Sequence, residues 1–499
     1  MHKFLVRRPD AIIPLLAGYF IIEFLVRLAI PHGMRFDESQ QALFSQWLTL
    51  GYDSQPPLYN WVQAVVVSVF GLSLTAISAV KNIFLFLVYL SYYRLAREVL
   101  TDKVFAAIAT LSLLTIPQFF WEAQRDLTHT VAQLVTINLF LCGAIRTLKA
   151  PSLGSYAFTG LALGLGMLSK YNFALLAAGA LVAVLMHPQG RARVFDKRFL
   201  LTILISLVIF LPHGIWLIHN FDLASGRTLG IMAEEAPEGA FAKFVKGPLK
   251  FLKLIVIIGA PTLIVYALVF GKSLLKNFGG RSNEWTRFFE ILFAVIAIIV
   301  LILIVTIGMT DLRDRWLLPF LFLLPIYLCL KMEVAGITAA DFGKRFFYVP
   351  LVMMVVIPAL LLTRTIFPML FGAYDHYNTP YPAFVRQILA SEGKRPGLML
   401  TNGWLPAGNL HLQLPDVPAM SLFFPNLKAD YQWSANKPIL IVWRPGKDNG
   451  VMPRELSNWL RDTLGLQYAT PDIKLTDVQY IHGKPGDMAS FAYAWVYPK

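Results

Sequence analysis

The sequence predicts an α-helical polytopic membrane protein with about eleven transmembrane helices, interfacial helices in its first external loop and a small C-terminal α/β extracytoplasmic domain. Three observations carry this expectation. The mean hydropathy is +0.58, with 56% apolar and only 15% charged residues. Long apolar runs follow one another as far as Arg364. Lys and Arg gather in every second connection between those runs, as the positive-inside rule requires. The formal charge of +14 is therefore spread over one membrane face, and no basic stripe suited to nucleic acid remains. The two cysteines, Cys142 and Cys329, lie inside apolar runs, so neither a disulfide framework nor a CxxC site is present.

Each element follows from run length. Spanning a bilayer takes roughly 20 apolar residues. Residues 11–30, 75–93, 104–120, 128–145, 199–218, 249–270, 288–308, 316–330 and 346–363 read as spans, and the shorter runs 156–168 and 173–186 as a tight hairpin. Lys3, Arg7 and Arg8 precede the first run, which lacks a small-residue cleavage site, so an uncleaved first helix is expected. Arg94 and Arg97, Arg146 and Lys149, Arg191 and Arg193, Lys272 and Lys276, and Lys344 and Arg345 mark the cytoplasmic connections. An odd number of spans then places the N-terminus in the cytoplasm and the C-terminal domain outside. The expected division is 1–370 for the transmembrane domain and 371–499 for the external one. In the latter, short β-rich runs at 397–401, 438–442 and 490–496 alternate with turn residues and a helical stretch at 453–464.

Polar residues stranded among apolar spans are the candidates for chemistry. In the first external loop, Asp37 and Glu38 open a helical pattern whose apolar face carries Phe36, Leu43, Phe44, Trp47 and Leu48. A second such helix follows Gln55-Pro56-Pro57, because Pro suits a first helical turn. Two surface helices beside a bundle make a roofed cavity with the carboxylates at its mouth. The bland alternative is that Asp37 and Glu38 merely favour the positive end of a helix, worth about 0.3 to 1 kcal/mol. The next external connection holds Glu122, Arg125, Asp126 and His129, either a site or an internal ion pair. Lys170-Tyr171 tips the hairpin that contains Gly160, Gly164 and Gly166, small residues that allow close helix packing. Lys170 either snorkels to the interface or meets a phosphate. Arg227 and Arg315 are further candidate phosphate partners, although Arg315 has acids of its own nearby.

Taken in order, Asp37-Glu38, Gln55-Pro56-Pro57-Leu58, Arg125-Asp126, Gly164-Leu165-Gly166-Met167-Leu168-Ser169-Lys170-Tyr171, Pro212-His213-Gly214-Ile215-Trp216 and Arg315-Trp316-Leu317-Leu318-Pro319 resemble the GT-C glycosyltransferases. The resemblance covers nearly the whole chain, and it is to the bacterial branch related to protein mannosyltransferases and to the aminoarabinose and galacturonic acid transferases that modify lipopolysaccharide. It implies an enzyme, a hexosyl- or pentosyltransferase moving a sugar from a polyprenyl-phosphate donor to a lipid or glycan acceptor, lipopolysaccharide core or lipid A first. It also implies Asp37 as catalytic base, Asp126 as a second catalytic-site carboxylate that orients the acceptor or helps hold Asp37 in place, and Lys170 and Tyr171 near the donor. Relatives carry His or Lys before the paired prolines, where this chain has Gln55, which hydrogen-bonds but does not neutralise charge.

The expected step is displacement with inversion. Asp37 takes the acceptor hydroxyl proton, Lys170 with Arg227 or Arg315 meets the departing phosphate, and Glu38, Gln55 and Arg125 contact substrate. Asp37, Glu38 and Asp126 allow a divalent metal, but no ligand spacing demands one. The alternative class is a secondary transporter or lipid flippase, which predicts inverted repeats and broken helices that the sequence does not display. A non-catalytic scaffold would leave both aspartates replaceable. The sugar, the acceptor and the prenyl chain length are not written in the residues.

Overall fold

The computed structural model describes residues 2–226, 240–271, 282–307, 312–445 and 451–499. Among these, eight helices are long and apolar enough to cross a membrane: Pro9–Ala29, Leu74–Val99, Thr128–Lys149, Phe199–His219, Phe244–Phe270, Glu284–Ile307, Asp314–Val334 and Phe342–Ile366. A ninth is obtained if the bent pair Lys103–Thr115 and Gln118–Arg125 counts as one span. Leu58–Phe70, Leu153–Ser169 and Phe173–Met186 are apolar but shorter. The protein is thus a polytopic helical membrane protein with a small β-containing C-terminal domain. Two compact units divide the chain: Met1–Ile21, Asp53–Tyr59 and Ile83–Ile357 form one, and Ile22–Tyr52, Asn60–Asn82 and Pro358–Lys499 the other.

The first unit is built around Thr128–Lys149, which is buried along nearly its whole length. A helix enclosed on all sides cannot satisfy its polar side chains with water, so Thr130, Gln133 and Asn138 must find partners inside the bundle. Asn138 ties it to the Leu74–Val99 helix by donating to Val88 O and Ser91 Oγ, at 3.2 and 3.0 Å. By contrast, Phe199–His219 exposes Leu200, Leu204, Leu207, Val208 and Leu211, the surface a bilayer covers. The glycines of the hairpin do what their spacing predicts. A Cβ on Gly160 would stand 2.6 Å from Thr202 O, and one on Gly164 2.8 Å from Ile209 Cβ. The Leu153–Ser169 and Phe199–His219 helices therefore pack backbone to backbone.

The second unit holds a five-stranded sheet in the order β2-β1-β3-β5-β4. Strands β1 (Leu398–Thr401), β2 (Ala419–Ser421) and β3 (Ile439–Trp443) run parallel, while β4 (Ile473–Gln479) and β5 (Met488–Val496) add antiparallel. The three parallel strands are buried at every position, and their residues are apolar except for Thr401 and Ser421 at the strand ends. β4 forms one edge and carries Lys474 and Asp477, charges that discourage further strand pairing.

The first-loop helix Phe36–Phe44 belongs to this unit and divides the face expected to meet lipid. Leu43 and Phe44 join the domain core with Phe384, Leu410 and Phe424, whereas Phe36 and Leu48 are exposed. The helix packs on Trp404–Gln413, where a Cβ at Gly408 would meet Ser39 O at 1.9 Å. Asn409 clamps the approach, accepting from Met34 N at 2.8 Å and donating to Met34 O at 3.2 Å.

Candidate functional site

In the second unit, Asp37 occupies the first turn of Phe36–Phe44 and is half-buried. That turn is braced from below. Arg27 grips both oxygens of Glu38, Nε to Oε1 at 2.7 Å and Nη2 to Oε2 at 2.9 Å, and also donates to Gly33 O at 2.9 Å. Its guanidinium lies 4.6 Å from the centre of the Tyr377 ring. Arg35 reaches Asp375 at 2.8 Å. Gly33 approaches so closely that a Cβ there would sit 2.5 Å from His376 O. Glu38 also closes a capping box with the Arg35 backbone, so the carboxylate expected to contact substrate serves to fix its neighbour.

In the first unit, polar groups converge where the apolar helices break. Pro117 has no N–H to continue Lys103–Thr115, and the chain turns by 71° into Gln118–Arg125, whose first part winds as a π-helical turn. Arg125 is buried with its guanidinium 4.8 Å from the Trp121 ring centre and 3.9 Å from Glu122, so the expected pair exists but is long. Asp126 follows, half-buried, and Leu127 is held at φ 69°, a left-handed conformation costly for a side chain of its size. That turn starts Thr128–Lys149 immediately after the carboxylate.

Lys170 does not snorkel. It is buried, and Nζ donates to Thr130 Oγ1 at 2.9 Å, in the first turn of the helix that Asp126 precedes. Tyr171 Oη lies 3.2 Å from His213 Nε2, the two rings stacked at 5.9 Å. Burial, and then the charge of Asp53, push the Tyr171 hydroxyl above its ordinary range. Gln133 donates to Asn172 Oδ1 at 2.8 Å and completes the attachment of the hairpin tip. Gln55 keeps its Oε1 enclosed without a hydrogen-bond partner among the described residues.

Asp53, His213 and Thr130 were not singled out as site residues by sequence reasoning. A His inside an apolar span was the available signal; Asp53 and Thr130 carried none. Arg315 is exposed in the first turn of Asp314–Leu321. Arg227 lies outside the described residues. Among the described residues, no group of three or more His, Cys, Asp or Glu side chains is placed to hold a metal ion.

Comparison with known proteins bears on this arrangement. The chain is 43% identical over 486 residues, 97% of each sequence, to the lipopolysaccharide core galacturonosyltransferase RgtB of Rhizobium johnstonii. It belongs to the polyprenyl-phosphate-dependent GT-C glycosyltransferases. The lipopolysaccharide core galacturonosyltransferase RgtA of the same organism is 40% identical over 97% of both chains. The dolichyl-phosphate-mannose-protein mannosyltransferase family model matches residues 54–216 of this transferase, which include Gln55, Asp126, Lys170, Tyr171 and His213. The fold matches that of ArnT from Cupriavidus metallidurans, solved bound to undecaprenyl phosphate, with a TM-score of 0.58 at 15% identity over 97% of this chain and 98% of that one. The glycosyltransferase is accordingly a multi-pass protein of the bacterial inner membrane, and kinship to transferases replaces the transporter alternative.

Proposed function

We propose that this glycosyltransferase moves galacturonic acid from polyprenyl phosphate to a sugar of the lipopolysaccharide core at the outer leaflet. The observation that carries the reading is its 43% identity, over 97% of both chains, to a lipopolysaccharide core galacturonosyltransferase. In the step we infer, an acceptor hydroxyl oxygen attacks the anomeric carbon as Asp37 takes its proton. The bond from that carbon to the phosphate oxygen breaks, its electron pair leaves with polyprenyl phosphate, and the configuration inverts. Base assistance of this kind is worth roughly 10²- to 10⁴-fold.

The remaining roles follow from chemistry. Lys170, with Arg227 or Arg315, offsets the charge that grows on the departing phosphate, and burial strengthens the Lys170 field. Tyr171, Gln55 and Asp126 orient donor and acceptor. Arg125 supplies a forked cation suited to the carboxylate of a uronic acid. Glu38 contributes through Arg27 by fixing the turn that carries Asp37.

The topology that suits this reading has about eleven spans, the N-terminus in the cytoplasm, 371–499 in the periplasm and the first-loop helices at the outer interface. Mass spectrometry of lipopolysaccharide from cells with and without the gene tests it. The expected result is loss of one hexuronic acid residue from the core. An unchanged core, with the change confined to another glycan, would refute the acceptor.

A further inference from the structure

A crevice of about 270 Å³ opens between helices of the first unit, and the step proposed above makes no use of it. Phe140, Ala144, Leu163, Ala177 and Ala180 wall it, side chains of Thr128–Lys149, Leu153–Ser169 and Phe173–Met186. Ala178 and Leu181 also line it and are exposed, so it opens sideways, beside Phe199–His219 with its lipid-facing surface. All these residues belong to the helix halves nearest the basic connections at 146–149 and 191–198. Phe173–Met186 is only 14 residues long, about 21 Å, so the chain leaves it well short of a bilayer's thickness. It then turns back at once. A Cβ on Gly190 would sit 1.5 Å from Val184 O, and the short helix Gly190–Val194 brings Arg193 and Val194 into the lining.

The lining selects a ligand class. Its polar side chains are Thr147, Tyr156, Arg193 and Thr202. Three of them spend their protons inside the protein: Thr147 donates to Gly143 O, Tyr156 to Arg193 O and Thr202 to Tyr156 O, each at 2.8 Å. A sugar would therefore meet walls that are apolar or already satisfied, whereas a hydrocarbon chain asks for nothing else. At the basic end the demand is for negative charge. The Arg193 guanidinium donates to neutral acceptors, Gln189 Oε1 at 3.2 Å and Leu148 O at 3.4 Å. Arg198 pairs with Asp196 at 2.6 Å, which leaves Arg191, Arg193 and Lys197 as the net charge of this turn. Phe195, among them, is 81% exposed, and an aromatic ring beside cations suits the headgroup layer of a membrane.

We propose that the crevice and its basic turn bind a phospholipid with an anionic headgroup, one acyl chain between the helices and the phosphate on Arg191 and Arg193. Under the topology proposed above this lipid belongs to the cytoplasmic leaflet, which carries the anionic lipids. The prenyl donor, whose phosphate is assigned to Lys170 beyond the opposite end of Leu153–Ser169, would leave these cations unanswered. The bound lipid is neither donor nor acceptor, so its binding and the sugar-transfer reading stand or fall separately.

The test titrates the full-length enzyme in detergent micelles with dioleoylphosphatidylglycerol, dioleoylphosphatidylcholine and polyprenyl phosphate, and counts retained lipid by native mass spectrometry. The anionic phospholipid should be held at one site and more tightly than the zwitterionic one. Arg191→Gln combined with Arg193→Gln should weaken it roughly twenty- to thirtyfold, about fivefold for each surface cation, and leave phosphatidylcholine unaltered. Ala177→Phe, which fills the crevice and keeps the charges, should weaken it roughly tenfold, the worth of about two buried methylenes. Should that variant fail to fold, Ala178→Leu at the exposed mouth gives the same readout. Equal retention of the two phospholipids by the wild type, or wild-type retention of phosphatidylglycerol in the cation or crevice variants, would overturn the site. Displacement of phosphatidylglycerol by polyprenyl phosphate would assign the crevice to the donor chain and overturn it as well.

Discussion

Gly164→Leu should damage transfer without touching any polar group of the site. The Leu153–Ser169 and Phe199–His219 helices meet at a separation where even a Cβ on Gly164 would lie 2.8 Å from Ile209 Cβ and 3.1 Å from Ser206 O. Carbon atoms rest about 3.5 to 4.0 Å apart, so the helices must part by about 1 Å. Overpacking of this kind costs about 1 to 3 kcal/mol. Tyr171, at the hairpin tip just beyond the first of these helices, is joined to His213 of the second, Oη to Nε2 at 3.2 Å, and parting the helices by about 1 Å puts that pair beyond hydrogen-bond reach. A misplacement of this size costs roughly 10²-fold in rate. Transfer of radiolabelled sugar from membrane lipid, normalised to enzyme abundance and set beside thermal unfolding, measures both effects. Gly154→Leu is the control, since a Cβ there meets only Ser152 Oγ at 3.8 Å. A Gly164→Leu enzyme with the wild-type rate would refute the idea that the glycine stripe sets the geometry of the hairpin tip.

Three further outcomes are expected. Lys170→Gln should lower donor kcat/KM about ten- to a hundredfold with acceptor KM unchanged, and donor titration at fixed acceptor checks it; an unaltered donor dependence would remove Lys170 from the phosphate. Arg27→Met should destabilise the protein by about 3 to 5 kcal/mol by stranding buried Glu38, and Arg27→Met combined with Glu38→Gln should recover part of the loss in chemical unfolding. His411, in the C-terminal domain, has its pKa lowered from 6.5 to about 4 by burial. The unfolded chain therefore binds this proton more readily, so the stability tied to neutral His411 is fully present above about pH 6.5. It declines as pH falls toward 4, by about 3 kcal/mol in all. Hydrogen exchange of the β1 and β3 amides at pH 7 and pH 5 should show the decline, and His411→Leu should abolish it.

Much of the fold was legible because a bilayer imposes a strong filter on composition. Run length and the placement of Arg and Lys gave the long spans, and the glycines at 160 and 164 announced their close packing. Length alone does not decide the shorter elements: Leu153–Ser169 and Phe173–Met186 have 17 and 14 residues, below a usual span. The cover over Leu43 and Phe44 was not legible either. It comes from contacts such as Phe44 with Phe424, whose ring centres lie 4.6 Å apart across a long stretch of chain, which no local periodicity encodes. At the site, charged residues in apolar surroundings drew attention to Asp37, Asp126 and Lys170. Asp53 and Thr130 escaped notice because they carry no such local signal.

Asp37→Asn tests the central claim most directly, since it keeps the shape of the first-loop turn and removes the base. With the variant at normal membrane abundance, sugar transfer from polyprenyl phosphate should fall roughly 10²- to 10⁴-fold while donor binding is retained. Wild-type transfer by that variant would contradict the assignment of Asp37 as the group that takes the acceptor proton.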